Sequence, residues 1–187
     1  MRAMARLVGI SGSLRKGSYN SALLRAAAAV APAGTQIDVA SIAGIPLYDG
    51  DVESAQGFPA AVTELKERIV SADGLLLATP EYNSSIPGVF KNAIDWLSRP
   101  SKDIPRVFGD KPVAIMGATP GRAGTRLAQT AWLPILRTLG TRFWSGRQLY
   151  VSEAGKVFDP DGKLVDEKVR ELLSDFMARF SKFVEGR

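Results

Sequence analysis

The sequence contains no cysteine and no histidine. Without cysteine there is no disulfide, no thiolate nucleophile and no thiolate metal site. Without histidine, the commonest general base at neutral pH and the commonest transition-metal ligand are both missing. Long hydrophobic runs are lacking too: no apolar stretch approaches the roughly 20 residues that a bilayer-spanning helix needs. Residues 1–4 lead straight into a strand-like stretch, with none of the apolar core of a secretory signal. The expectation is a cytoplasmic protein with no membrane insertion and no bound metal. An enzyme made from this chain must work with carboxylates, hydroxyls, Arg, Lys or a borrowed cofactor. Redox chemistry under those limits points to an organic cofactor.

What is present describes an ordinary globular chain. Its 187 residues, 45% hydrophobic and 23% charged, suffice for one domain spanning 1–187 with a proper core. The net charge of +5 is unevenly spread. Between Arg99 and Arg147 nine basic residues face only Asp103 and Asp110, whereas residues 32–81 carry eight acidic residues against Lys66 and Arg68. Most of these side chains read as solvated faces, and the basic half favours anionic ligands such as NAD(P)H. Interleaved aromatics and recognised nucleic-acid motifs are missing, so no nucleic-acid partner is expected.

Short apolar runs alternate with helical periods along the chain. Leu7-Val8-Gly9-Ile10, Ile37-Asp38-Val39-Ala40, Leu75-Leu76-Leu77-Ala78 and Val113-Ala114-Ile115-Met116 read as strands one to four, and residues 141–151 as strand five. Helices are expected over about 19–31 and 59–72, from Val89 through Leu97, from the loop at 117–125 to about 139, and from Val165 to Phe183. Residues 41–58, with Gly44, Pro46 and Gly50, read as loop. Strand–helix alternation repeated five times predicts an open, doubly wound, five-stranded parallel sheet.

Ligands of such sheets bind beyond the carboxyl ends of the strands, where strand order reverses. That directs attention to the loops 11–20, 79–87 and 117–125. The first carries Ser11, Ser13, Ser18 and Asn20 with Arg15 at a helix N-terminus, a setting suited to a terminal phosphate. It matches neither the dinucleotide fingerprint nor a Walker A loop. Its bland reading is capping of the following helix by Ser18 or Asn20. In the second loop Pro80 and Pro87 stiffen the backbone, Tyr82 offers a flat face, Asn83 can read a heterocycle edge, and Glu81 can brace the loop by accepting backbone N–H groups. The third loop has three glycines that permit close backbone approach to a flat ligand.

Gly12-Ser13-Leu14-Arg15-Lys16-Gly17-Ser18-Tyr19-Asn20 resembles the phosphate loop of the NAD(P)H-dependent FMN reductase family. Pro80-Glu81-Tyr82-Asn83, then Pro87-Gly88 and the run from Lys91 to Arg99, resemble that family's second loop and helix, with the bacterial quinone and chromate reductases as the most similar branch. The resemblance implies a flavodoxin-like three-layer α/β/α fold with strand order 2-1-3-4-5 and non-covalent FMN. By the same resemblance Ser11, Ser13, Leu14, Arg15, Ser18, Asn20 and Ser21 hold the FMN phosphate end. Pro80, Glu81, Tyr82, Asn83 and Ser85 border the ring by that resemblance; the third loop departs from the family's pattern, and Thr119 and Gly121 are its candidate contacts. Arg99 and Arg122 are candidate substrate contacts, and no residue need be a catalytic acid or base. NAD(P)H is the implied co-substrate, small molecules the implied electron acceptors, and a homodimer or homotetramer the implied assembly, with the helix around 91–97 as an interface candidate. The rival readings are an electron-carrier flavodoxin and a non-flavin phosphate-binding enzyme. Carriers are typically acidic, against a pI near 9.6 here. Phosphatase chemistry wants a Cys or a metal-binding carboxylate cluster after a strand.

Overall fold

A computed structural model describes residues 5–186; the reading of residues 1–4 lies outside the described residues. The chain runs β1 (Ala5–Ser11), α1 (Tyr19–Ala29), β2 (Thr35–Ala40), α2 (Gly50–Gln56), α3 (Ala60–Ser71), β3 (Gly74–Ala78), α4 (Gly88–Leu97), a 3-10 turn (Ser101–Asp103), α5 (Ile104–Val107), β4 (Pro112–Ala118), α6 (Arg126–Thr138), β5 (Arg142–Phe143), β6 (Tyr150–Val151), α7 (Ala154–Val157) and α8 (Glu167–Val184). The strands pair in parallel in the order β2-β1-β3-β4-β5, with β6 also on β4. This is the flavodoxin-like sheet.

Side-chain alternation divides the core into two layers. Val8, Ile10, Leu75, Leu77, Val113 and Ile115 face α3, α4 and α6, meeting Ile69, Phe90, Trp96 and Trp132. Leu7, Leu76, Ala114 and Met116 face the other way, onto Leu23 and Ala27 of α1 and Phe176 and Phe180 of α8. β3 is buried along its whole length, as a central parallel strand must be. Register then fixes the rim: Ser11 lies beside Ala78, and Ala78 beside Met116. β1 and β3 therefore end level, β4 runs two residues further, and their loops leave from one edge.

The sheet differs from expectation beyond β4. Residues 141–151 do not form a single fifth strand. β5 pairs with the start of β4 (Pro112 with Arg142, Val113 with Phe143) and β6 with its end (Gly117 with Tyr150, Ala118 with Val151). The break falls at residues 145–148: Trp144 N–H still bonds Val113 O, and Leu149 O accepts from Gly117 N–H. The Trp144 indole turns inward onto Phe176 and Phe180, at ring separations of 5.0 and 5.5 Å. Gly146 passes so close to the indole that a Cβ there would lie 2.6 Å from Nε1.

Residues 50–56, expected as loop, form α2, capped by the Asp49 carboxylate on the N–H of Asp51. No residue of α2 is buried. Polar ties fasten the surrounding segment to α4: Asn92 Nδ2 and Trp96 Nε1 both donate to the Pro46 carbonyl, and Asn92 Oδ1 accepts from Tyr48 N–H. Arg99 Nε meets Glu53 Oε2 at 2.9 Å, and the Tyr48 hydroxyl donates to the same oxygen. Nearby, the buried Lys66 ammonium donates to the Arg99 carbonyl and lies over the Phe58 ring.

The hydrogen bond from Arg99, reinforced by that from Tyr48, holds the Glu53 carboxyl below its ordinary value of 4.5. Arg106 does the same for Glu67. A carboxylate with a depressed folded-state value stabilises the fold above its unfolded value and loses that contribution as pH falls through the folded value. The melting temperature is therefore expected to fall as pH drops below 4.5, and less steeply in Glu53→Gln. Equal acid slopes for the two proteins would remove Glu53 from the account.

Candidate functional site

The first loop leaves β1 with Gly12 N–H still bonded to Ala78 O, so it starts in line with the sheet. A Cβ on Gly12 would sit 2.1 Å from the Phe90 ring, so the loop can take this path only with glycine there. Ser18 caps α1, its Oγ accepting from Ser21 N–H at 3.3 Å, and the Ser21 hydroxyl donates to Ser11 Oγ. Ser13 Oγ accepts from Arg15 N–H. The N–H groups of Ser13, Leu14, Lys16, Gly17, Tyr19 and Asn20 have no acceptor among the described residues. The Arg15 guanidinium likewise has no partner there, and α1 carries no acidic residue in its first turn.

In the second loop Thr79 is fully buried; its hydroxyl donates to Pro80 O and accepts from Trp132 Nε1. Tyr82 and Ser85 exchange backbone hydrogen bonds of 3.0 Å each way. Between them Asn83 and Ser84 both have positive φ, 50° and 61°. This is the two-residue turn with φ above zero at both central positions, usually reserved for Asn and Gly, and it holds Tyr82 half out of the protein. Glu81 Oε2 accepts from the N–H groups of Leu127 and Ala128 at 2.9 and 3.0 Å, bracing the loop against the start of α6.

The third loop begins within the strand, since β4 runs on to Ala118. Asn20 reaches it with both side-chain atoms, Nδ2 donating to Ala118 O and Oδ1 accepting from Ala118 N–H, each at 2.9 Å. Both of its side-chain polar atoms thus serve the protein, and what Asn20 offers an anion is its main-chain N–H. Thr119 N–H bonds Val151 O, and Thr119 Oγ1 accepts from Gly121 N–H.

These loops enclose an open trough of about 190 Å³. Ser13, Arg15, Ser18 and Asn20 line one end; Pro80, Glu81 and Tyr82 one wall; Ala118, Thr119 and Pro120 the other. Tyr19, which the sequence reading did not single out, lines it as well. As the first residue of α1 and stacked on Phe158, it reads in sequence as plain packing. Ser11 at the end of β1, Ser21 on α1, and Leu14, Asn83, Ser85 and Gly121 of the loops are not part of this lining. Arg122 is exposed with no partner among the described residues. Arg99 is not brought to the trough: it is paired with Glu53 on α2. A larger hollow of about 360 Å³ lies between β2 and α3, where Arg68 and Asp38 already neutralise each other.

The donor set fits FMN at this trough. Unpaired N–H groups at a helix N-terminus, with a free guanidinium and the hydroxyls of Ser13 and Ser18, suit a phosphate monoester. A half-exposed tyrosine and a backbone wall of small residues suit a flat ring. Among the described residues no cluster of carboxylates could hold a metal, and no helix is long and apolar enough to cross a membrane.

Sheet order and the loops gathered at one edge of the sheet define a flavodoxin-like α/β protein. Residues 5–156 match the NADPH-dependent FMN reductase family, and the chain belongs to that family. It is 49% identical over 168 residues to an NAD(P)H-dependent FMN reductase of Pseudomonas aeruginosa, covering 90% of this chain and 89% of that one. It is 38% identical over 187 residues to a quinone reductase of Escherichia coli, covering 99% and 98%. The flavoenzyme NAD(P)H:acceptor oxidoreductase FerB of Paracoccus denitrificans superposes with a TM-score of 0.86 at 34% identity, covering 97% and 98%.

Proposed function

We propose that this protein is an FMN-dependent NAD(P)H oxidoreductase that reduces quinones, chromate or similar small acceptors. The observation that carries this reading is the row of unpaired N–H groups with Arg15 at the start of α1, beside the wall built on Tyr82. Held there by the first and second loops, FMN would supply two-electron redox chemistry, with hydride from NAD(P)H and electrons to the acceptor exchanged in ping-pong order at one face. The chain's own residues position and polarise. Ser13, Ser18, Arg15 and the loop amides grip the phosphate, and Tyr82 and Pro80 set the plane of the ring. Glu81 and Asn20 lock the loops to one another, so that little reorganisation accompanies binding. No side chain is required to move a proton.

The exposed side of α4, with Val89 and the Lys91–Asp95 ion pair, continues toward the projecting Leu47, and it is the surface for a homodimer or homotetramer. Phe90 and Trp96 of the same helix are buried in the core.

The test is the visible spectrum of the purified protein before and after anaerobic NADPH or NADH. Flavin bands that bleach on mixing are expected. Bands that persist would turn the assignment to an electron carrier, and no bands after reconstitution with FMN would overturn it. Intersecting rather than parallel steady-state lines would overturn the shared face.

A further inference from the structure

α6 begins without a cap of its own. Its N-cap residue, Thr125, makes no side-chain bond to the first turn, and that turn contains no acid. The Thr125 hydroxyl is instead engaged by Gln129 Nε2 at 3.0 Å. The orphan amides of Leu127 and Ala128 are satisfied from 46 and 47 residues away, by the Glu81 carboxylate. Glu81 is also the one acidic residue lining the trough. The same residue therefore lines the trough and ties its loop to a helix terminus.

We infer that Glu81 is a positioning residue for FMN whose charge also holds the reduction potential of the bound cofactor down; this rests on the flavoprotein assignment above. The mechanical part follows from the connection. Pro80 and Tyr82 form one wall of the trough and Ala118–Pro120 the other, and the bond from Glu81 to α6 joins the wall after β3 to the helix that follows the opposite wall. The electrostatic part follows from the sign. A helix N-terminus carries roughly half a positive charge, and a full carboxylate on it leaves a net negative field. Two-electron reduction adds negative charge to the flavin, so that field opposes the reduced form. In Glu81→Gln the amide oxygen still accepts both N–H groups, while the negative charge is removed and the positive end of α6 is uncovered.

The experiment measures FMN dissociation constants on the apoprotein and the two-electron potential by dye-coupled titration, for the wild type, Glu81→Gln and Glu81→Ala. In Glu81→Gln, oxidised FMN is expected to bind as in the wild type. Reduced FMN should bind about tenfold tighter, which corresponds to about 30 mV of positive shift for a two-electron couple. In Glu81→Ala both forms should bind at least fivefold more weakly, because the walls are no longer joined. An unchanged potential in Glu81→Gln, with only its melting temperature lowered, would reduce Glu81 to a helix cap and overturn the electrostatic role. Unchanged FMN affinity in Glu81→Ala would overturn the positioning role. Should Glu81→Ala fail to fold, Glu81→Asp replaces it: it keeps the charge but is one methylene short, so weakened binding at an unshifted potential supports the inference and unchanged binding refutes it. Failure of the wild type itself to take up FMN would overturn the flavoprotein assignment, and this inference with it.

Discussion

Replacing Gly117 with alanine is expected to abolish FMN uptake and lower the melting temperature by about 6–12 °C. A Cβ at this position would lie 2.0 Å from Thr125 Oγ1 and 2.4 Å from the carbonyl oxygen of Thr79. Neither neighbour can move freely. The Thr125 hydroxyl is held by Gln129, which also donates to Leu149 O. Thr79 O is main chain, and its residue is locked by bonds to Met116 O, Pro80 O and Trp132. Overpacking of a rigid site costs about 3 kcal/mol, and a protein of this size loses about 2–4 °C per kcal/mol. The displaced groups are the starts of the second loop and of α6, so the damage falls on both walls of the trough. Gly88→Ala is the control, since a Cβ there meets nothing within 4 Å. A Gly117→Ala protein that melts like the wild type and takes up FMN would show that the packing between β3 and α6 is looser than these distances state.

Arg15→Ala is expected to weaken FMN binding by about 10- to 150-fold, the effect of losing about 1.5–3 kcal/mol of charge-assisted hydrogen bonding. Arg15 has no protein acid to neutralise it among the described residues, and it lines the trough beside Ser13 and Ser18. Lysine at this position should recover only part of the loss, because an ammonium lacks the planar fork that matches phosphate oxygens. Riboflavin separates a phosphate contact from general damage, since it has the same ring and no phosphate. Its affinity should be equal in the wild type and in Arg15→Ala. Arg25→Ala, on the exposed side of α1, should change neither affinity. A riboflavin affinity that falls in parallel with that of FMN would move Arg15 from the phosphate to the ring or to the loop's own stability.

The sheet was legible because its signal is strong: the three apolar runs of β1, β3 and β4, buried on both faces, can be little else in a chain of this length. The loops were legible as places for the same reason, since a parallel sheet puts the carboxyl ends of its strands at one edge. The finer structure escaped wherever burial did not drive it. α2 buries nothing, so it leaves no hydrophobic period to detect; only Asp49 marked its start. The fifth strand read as continuous because β-formers stand at both ends of 141–151, whereas the Ser145–Gln148 stretch between them leaves the ladder beside an indole packed on Phe176 and Phe180. At the site, the residue types pointed to phosphate and ring, but long-range partners decide how each side chain is used. The pairing of Asn20 with Ala118 spans 98 residues, and that of Arg99 with Glu53 spans 46. Neither has a local signature.

The division of the strand beyond β4 also bears on how this protein avoids aggregating. An outermost strand invites a neighbour to add to it through its row of free backbone groups. Here that row is cut into two pieces of two residues, separated by a stretch anchored through Trp144 in the core. An incoming chain would find too short a ladder to hold. The opposite margin, β2, is six residues long but sets the Asp38–Arg68 pair on its surface. Fibrous growth of the sheet is thus blocked on one side by interruption and discouraged on the other by charge, and a mutation that let residues 142–151 straighten would reopen the blocked side.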